Sequence, residues 1–456
     1  MFVRDGKPQL ELSQTGALAI GVPGSLAAYE LACRNYGKLP LETHLNTAAR
    51  LADNGFSVTR NLAERMAANA ETLKRFEASR AALLKPDGST YSHGDLFRQP
   101  DLARSYRTIA REGTGWFYGG PFAASMEIFM KANEGIANTA DFKNYQVKLR
   151  EPLRTTYRGY EIIGFPPPSS GGVHVGQILN ILENFNLRKM KPHSADFIHV
   201  VTEAMKLAFA DRAYWLGDPD FAAVPRGLVD KDYAAMLARK INLKHVTAVS
   251  THGTPNRPSE NLFEKHTTHF ATIDAQGNWV ACTATINTSF GSKVVVPQTG
   301  IVMNNQMDDF SIQPGASNFF GLIGGEANSV GPGKRPLSSM SPTLVLRNGK
   351  PVLSVGAAGG PTIITQTLLA IINHIDFQMP VEKALSEPRF HHQWHPDELR
   401  IESTVFTETI NDLEKRGHRV KIVPRFGAAQ AIALSLKKNE MEGCADPRGD
   451  GIALGF

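Results

Sequence analysis

The sequence predicts an α+β protein in which helices cover antiparallel sheets, and three observations carry that prediction. From Gly24 to about Leu153, apolar residues recur mostly at helical spacing. Past a polar loop ending near His266, the pattern becomes alternating runs joined by tight turns. Helical segments return among those hairpins from about Thr365, so strands and helices are mixed, which favours a layered architecture.

Taken in order, "MFVRDGKPQLELSQTGALAIGVPGS" has no apolar stretch of the signal-peptide kind and no strong strand or helix onset. "GSLAAYELACRNYG" predicts a helix opening at Ser25 and stopped by Gly37. "LETHLNTAARLADNG" predicts a second, ended by Asn54-Gly55, and "NLAERMAANAETLKRF" a third. "YRGYEIIGF" reads as a strand. In "FPPPSSGGVHVGQILNILENF" the prolines fix an extended entry, and Gly171-Gly172 permit a turn into a helix. This proline run fits a packed turn better than a docking ligand. A further helix is expected from about Ser194 to Leu216. "THGTPNRPSENLFEKH" is an exposed loop. Beyond it, "TTHFATID" and "WVACTATIN" form a hairpin around "AQGN", and "PTLVLRNGKPVLSV" forms another around Asn348-Gly349. Helices near Thr365–Ile375 and Thr404–Arg416 and a strand pair framing "LKKNEME" complete the chain.

Composition narrows the function. With 456 residues the chain can bury a large core, and a net charge of +5, spread without Lys/Arg blocks, argues against nucleic-acid partners. No apolar run approaches the roughly 20 residues of a membrane span. Cys33, Cys282 and Cys444 are too few and too scattered for a disulfide framework or a zinc site.

Thr267 and Thr268 stand where the polar loop meets the first alternating strand. Threonine is common there simply because it is β-branched. The other reading is chemical. Scission of the His266–Thr267 bond would give Thr267 an α-amine beside its own hydroxyl, and an amine with an unperturbed pKa near 8 can take that hydroxyl's proton. One residue then supplies both nucleophile and base.

"TTHFATIDAQGNWVACTATINTSFGS", "GIVMNNQMDDFS", "KRPLSSMSPTLVL", "GAAGG" and "EPRFHHQWHPDELR", preceded by "FPPPSSGGVHVGQILNILENF" and "GDPDF", resemble the γ-glutamyltransferase family in order from about Gly21 to the C-terminus. The resemblance implies an N-terminal-nucleophile (Ntn) hydrolase sandwich with four layers, αββα. It further implies one precursor cut before Thr267 into a large part, 1–266, and a small part, 267–456. It implies no cofactor and no catalytic metal, γ-glutamyl compounds such as glutathione as substrates, and amino acids, peptides or water as acceptors. Family members are commonly periplasmic or extracellular.

Carried over by position, Thr267 matches the nucleophile. Thr285, on the partner strand of the predicted hairpin, matches the threonine that supports it. Asn287, Gln306 and Asp309 match the residues around the substrate's α-ammonium group, for which a carboxylate and amide oxygens are suitable acceptors. Ser338 and Ser339 match the donors to the α-carboxylate, and Gly359 and Gly360 the backbone oxyanion hole. Without the resemblance, these segments read as an ordinary strand, polar loops and a turn. His391, His392 and His395 in "RFHHQWH" lack a carboxylate or thiolate at ligand spacing and read as structural.

Two departures from the family pattern stand out. The family's arginine for the α-carboxylate, with roughly a hundred residues of core sequence, lies upstream of Met1; Arg4 is not in its motif, and a sheet edge would be left open. The lid position that often carries a tyrosine is Phe320, which can shield a site but cannot bond Asn287. A catalytically silent relative and a cephalosporin- or glutaryl-type acylase are the alternatives. The amino-acid-binding set Asn287, Gln306, Asp309, Ser338 and Ser339 argues against the acylase.

Overall fold

The computed structural model describes residues 1–255, 268–313, 315, 317–435 and 440–456. The predicted cleavage site, His266 and Thr267, and much of "LKKNEME" lie outside the described residues. The chain forms two compact units, one of Met1–Leu149 with Thr285–Asp308, the other of Arg150–Ala284 with Asp309–Phe456. The expected 266/267 boundary is one of covalent processing, and the units cut across it.

The first unit is mainly helical. Helices Ser25–Tyr36, Leu41–Asn54 and Arg60–Lys74 form where periodicity places them, the first stopped by Gly37 and the third capped by the Thr59 hydroxyl, which accepts from the Leu62 N–H. Small residues Ala49, Ala52 and Ala103 form a buried cluster between the Leu41–Asn54 and Pro100–Glu112 helices. A larger core gathers Phe117, Phe122, Met126, Met130 and Phe142 around Val294, Val296 and Met303 from the later segment. The first residues hold more structure than their pattern suggested: Val3–Arg4 pairs with Lys7–Pro8, and a short helix runs over Leu10–Gln14.

The second unit is built on a six-stranded antiparallel sheet, in the order Met441–Ala445, Ala428–Leu434, Lys350–Ala358, Thr343–Arg347, Tyr160–Gly164, Leu153–Tyr157. Both expected hairpins are present, including the turn at Asn348-Gly349 with positive φ at both residues. Alternation along Lys350–Ala358 sorts its side chains. Leu353, Val355 and Ala357 join a core with helices Gly171–Leu182, Ala195–Trp215 and Thr362–Ile375. Ser354 and Gly356 lie against the hairpin of His269–Ile273 and Trp279–Thr283: the Ser354 hydroxyl donates to the Val280 carbonyl (3.1 Å), and Gly356 sits under the His269 imidazole. Helix, sheet and second sheet are thus stacked within one unit. A third sheet pairs Leu399–Glu402 with Phe390–His391 and, in parallel, with Val420–Val423.

Candidate active site

A strand–glycine–glycine–helix corner follows directly from Lys350–Ala358. Gly359 and Gly360 have φ of +136° and +59°, a backbone that residues with a Cβ resist, before the Thr362–Ile375 helix begins. The Thr362 hydroxyl donates to the Gly359 carbonyl (2.8 Å), and Gln366 Nε2 to the Ala358 carbonyl (3.0 Å). Gln366 is held by Arg389, which is paired with buried Asp446. The corner is therefore braced from the interior. Phe320 lies over it: a Cβ on Gly360 would come within 2.5 Å of the Phe320 ring. Lid candidate and glycine pair are brought together.

The proline run is a packed turn. Pro166–Gly172 is buried, and its serines are tied to residues 338–340: Ser169 Oγ donates to the Met340 carbonyl and Ser170 Oγ to that of Ser338, both at 2.7 Å. Gly171 matters here for its missing side chain rather than its turn, since a Cβ would collide with the Met340 carbonyl oxygen. Ser338 and Ser339 are buried. The Ser338 hydroxyl accepts from the Met340 N–H (3.3 Å), and the Ser339 hydroxyl from Arg212 Nη2 (3.3 Å), so each keeps its own proton to donate. Asn328 ties Asp309 to the same loop, donating to the Asp309 carbonyl and accepting from the Leu337 N–H, both at 2.8 Å. Neither Arg212 nor Asn328 was singled out in the sequence, because each earns its place only through long-range contacts.

Thr285, Asn287 and Gln306 lie in the first unit. The strand expected to carry Thr285 ends at Thr283; instead the Thr285 hydroxyl accepts from the Asn287 N–H (2.8 Å) within a turn where Asn287 takes φ of +76°. The physical reason is local: this hydrogen bond closes the turn and pulls the backbone out of the ladder. Thr285 keeps its proton to donate. Asn287 Nδ2 donates to the Asn305 carbonyl (3.0 Å), which assigns Oδ1 as its acceptor, and Asn305 joins this turn to Gln306. Thr268, next to the proposed nucleophile, accepts at its carbonyl from the Ala284 N–H, carrying the hairpin one pair further.

Two histidines of "RFHHQWH" are tied into the fold, one of them by a carboxylate that the spacing did not suggest. His391 bonds Thr365 and Gln393, and His392 bonds Asp397 and the Trp394 N–H. Another group, unremarked in the sequence, brings His199, Glu203 and His418 together. Most of their polar atoms have protein partners. His199 bonds the Asn242 carbonyl (2.7 Å) and His418 (2.8 Å), while Glu203 holds Lys206 and the Thr247 N–H. This is a satisfied buried network, in which desolvation holds both imidazoles below their ordinary pKa, His418 down to about 3.

The stacked helices and sheets are those of the Ntn-hydrolase sandwich class. The chain belongs to the gamma-glutamyltranspeptidase family, whose description matches residues 1–456. The glutathione hydrolase proenzyme of Escherichia coli (strain K12) is 42% identical over 462 residues, spanning 100% of this chain and 79% of its own length. An acylase ACY 1 proenzyme of Pseudomonas sp. (strain SE83) is 39% identical over 96% of this chain and 75% of its own. The crystal structure of a cephalosporin acylase from Bacillus halodurans superposes with a TM-score of 0.86 at 28% identity, covering 96% of this chain and 78% of that one. Among the described residues, no helix is long and apolar enough to cross a membrane.

Proposed function

We propose that the protein hydrolyses or transfers γ-glutamyl groups from glutathione and related γ-glutamyl amides through an ester on Thr267. The Thr267 hydroxyl attacks the carbonyl of His266 and the C–N bond breaks, which moves the acyl group to the side-chain oxygen and frees the α-amine that later serves as base; water then hydrolyses this ester, leaving a carboxylate on His266 and restoring the Thr267 hydroxyl. In turnover the same hydroxyl attacks the γ-carbonyl, and the amine leaves with a proton. Water or an acceptor amine then resolves the ester. Gly359 and Gly360 N–H groups receive the oxyanion, Thr285 donates to the Thr267 oxygen, and Phe320 limits access. Asn287, Gln306 and Asp309 hold the α-ammonium, and Ser338 and Ser339 the α-carboxylate. Export to the periplasm or cell surface fits the family.

One observation carries this reading over an acylase taking plain acyl groups. Asn328 ties the Asp309 main-chain carbonyl to the N–H of Leu337, the residue before Ser338, so the segment bearing a carboxylate suited to a cation is held to the segment bearing two hydroxyls suited to an anion. Those are the two charges of an α-amino acid. The test is kcat/KM for L-γ-glutamyl-p-nitroanilide against glutaryl-p-nitroanilide, which differ only by the ammonium group. The γ-glutamyl compound is expected to be preferred by at least about tenfold, the scale of one charge-assisted hydrogen bond. Preference for the glutaryl compound, or inertness toward both, contradicts the reading.

A further inference from the structure

The Ala195–Trp215 helix delivers one guanidinium to the rear of the serine pair. Arg212 is 4% exposed, and among the described residues its hydrogen bonds run to two hydroxyls: Nε donates to Ser170 Oγ (3.0 Å) and Nη2 to Ser339 Oγ (3.3 Å). Ser170 passes the contact on by donating to the Ser338 carbonyl. A buried arginine normally meets a carboxylate directly, because desolvating an unpaired charge is costly. Here the guanidinium donates to hydroxyls, and Asp309 acts on it through its field. Burial lowers the guanidinium pKa only to about 10, so it remains a cation at neutral pH.

We infer that Arg212 is a positioning residue for anion recognition. By occupying the acceptor lone pair of Ser339 it directs that hydroxyl's proton outward, and its charge strengthens the pair's grip on a carboxylate without touching it. This rests on the γ-glutamyl reading above, in which Ser338 and Ser339 meet the α-carboxylate. A carboxylate far from the breaking bond is held alike in ground and transition states, so its loss falls on KM rather than kcat.

The experiment measures kcat and KM for L-γ-glutamyl-p-nitroanilide in the wild type, Arg212→Met, Arg212→Lys, Ser339→Ala and the Arg212→Met/Ser339→Ala double variant. Arg212→Met is expected to raise KM about 10- to 100-fold, the range of a charge-assisted hydrogen bond, with kcat changed less than about threefold. Arg212→Lys, which keeps the charge, falls between. In the Ser339→Ala background, removing Arg212 is expected to cost less than about threefold, since the two act as one unit. Ser170→Ala frees Nε while keeping the cation and gives a smaller KM rise of the same direction, which serves if Arg212→Met does not fold. Unchanged KM in Arg212→Met, a loss confined to kcat, or an equal KM rise with and without Ser339 overturns the inference; for Ser170→Ala, unchanged KM does so. A wild type unable to cleave the γ-glutamyl substrate contradicts the reading of the site instead.

Discussion

Gly356→Ala tests whether the six-stranded sheet and the His269–Thr283 hairpin are locked together at the strand that follows Thr267. Gly356 faces the His269 imidazole, and an added Cβ would lie 2.6 Å from Cε1 and 2.7 Å from Cγ, closer than carbon atoms approach without something moving. The ring has little room, because His269 is buried and paired in register with Thr283. Overpacking costs about 1–3 kcal/mol. Displacing the ring also strains its bond to the Thr283 hydroxyl (3.0 Å), which anchors it through Nδ1. Leaving that part-buried pair unsatisfied adds up to about 1–3 kcal/mol, for about 2–6 kcal/mol together. The strand begins two residues after Thr267, so Gly356→Ala is also expected to slow the proposed cleavage at least about tenfold, equivalent to roughly 1.4 kcal/mol of that strain. Thermal unfolding and the time course of fragment appearance read the two effects. In Gly356→Ala/His269→Ala the clash is gone, so the double variant is expected to lose about 2 kcal/mol less than the sum of the singles. Wild-type melting and cleavage in Gly356→Ala, or additive singles, would refute this packing argument.

Other expectations follow from the same contacts. His174, His269, His391 and His418 are held neutral, with burial pushing each from 6.5 to about 3. A depressed histidine pKa means the unfolded chain takes up protons first. Stability is therefore full above pH 6.5 and lost as pH falls toward 3, by up to about 1.4 kcal/mol per pH unit for each histidine; melting temperatures flat from pH 7.5 to 5 would contradict this. Asp446→Ala strands the buried Arg389 guanidinium and is expected to cost about 3–5 kcal/mol, or about 5–8 °C in the melting of the second unit. A shift below 2 °C would show the pair to be dispensable. A phenylalanine lid lacks the hydroxyl a tyrosine would offer and so admits water more readily; Phe320→Tyr is therefore expected to lower the hydrolysis-to-transfer ratio, and an unchanged ratio contradicts this reading of the lid.

What the sequence made legible was local. Asn348-Gly349, Gly37 and Ser194 act through their own backbone or the next turn, and each marks the boundary it was expected to mark. The edge strand Leu153–Tyr157 was missed because "LRTTY" carries little apolar signal and gains its place by pairing with Tyr160–Gly164. Thr285 was misplaced onto a strand because β-propensity does not register a hydroxyl that closes a turn two residues ahead. For the candidate site, motif resemblance supplied the residues and the structure supplied their supports. Arg212, Asn328 and Gln366 could not be read beforehand, because their partners lie remote in sequence or at the end of another strand.

The central claim is that an internal threonine becomes a chain terminus. N-terminal sequencing of the purified protein tests it: two sequences are expected, one from the start of the chain and one beginning at Thr267, with Thr267→Ala yielding a single uncut chain. A second terminus at any other residue, or cleavage persisting in Thr267→Ala, would contradict the account.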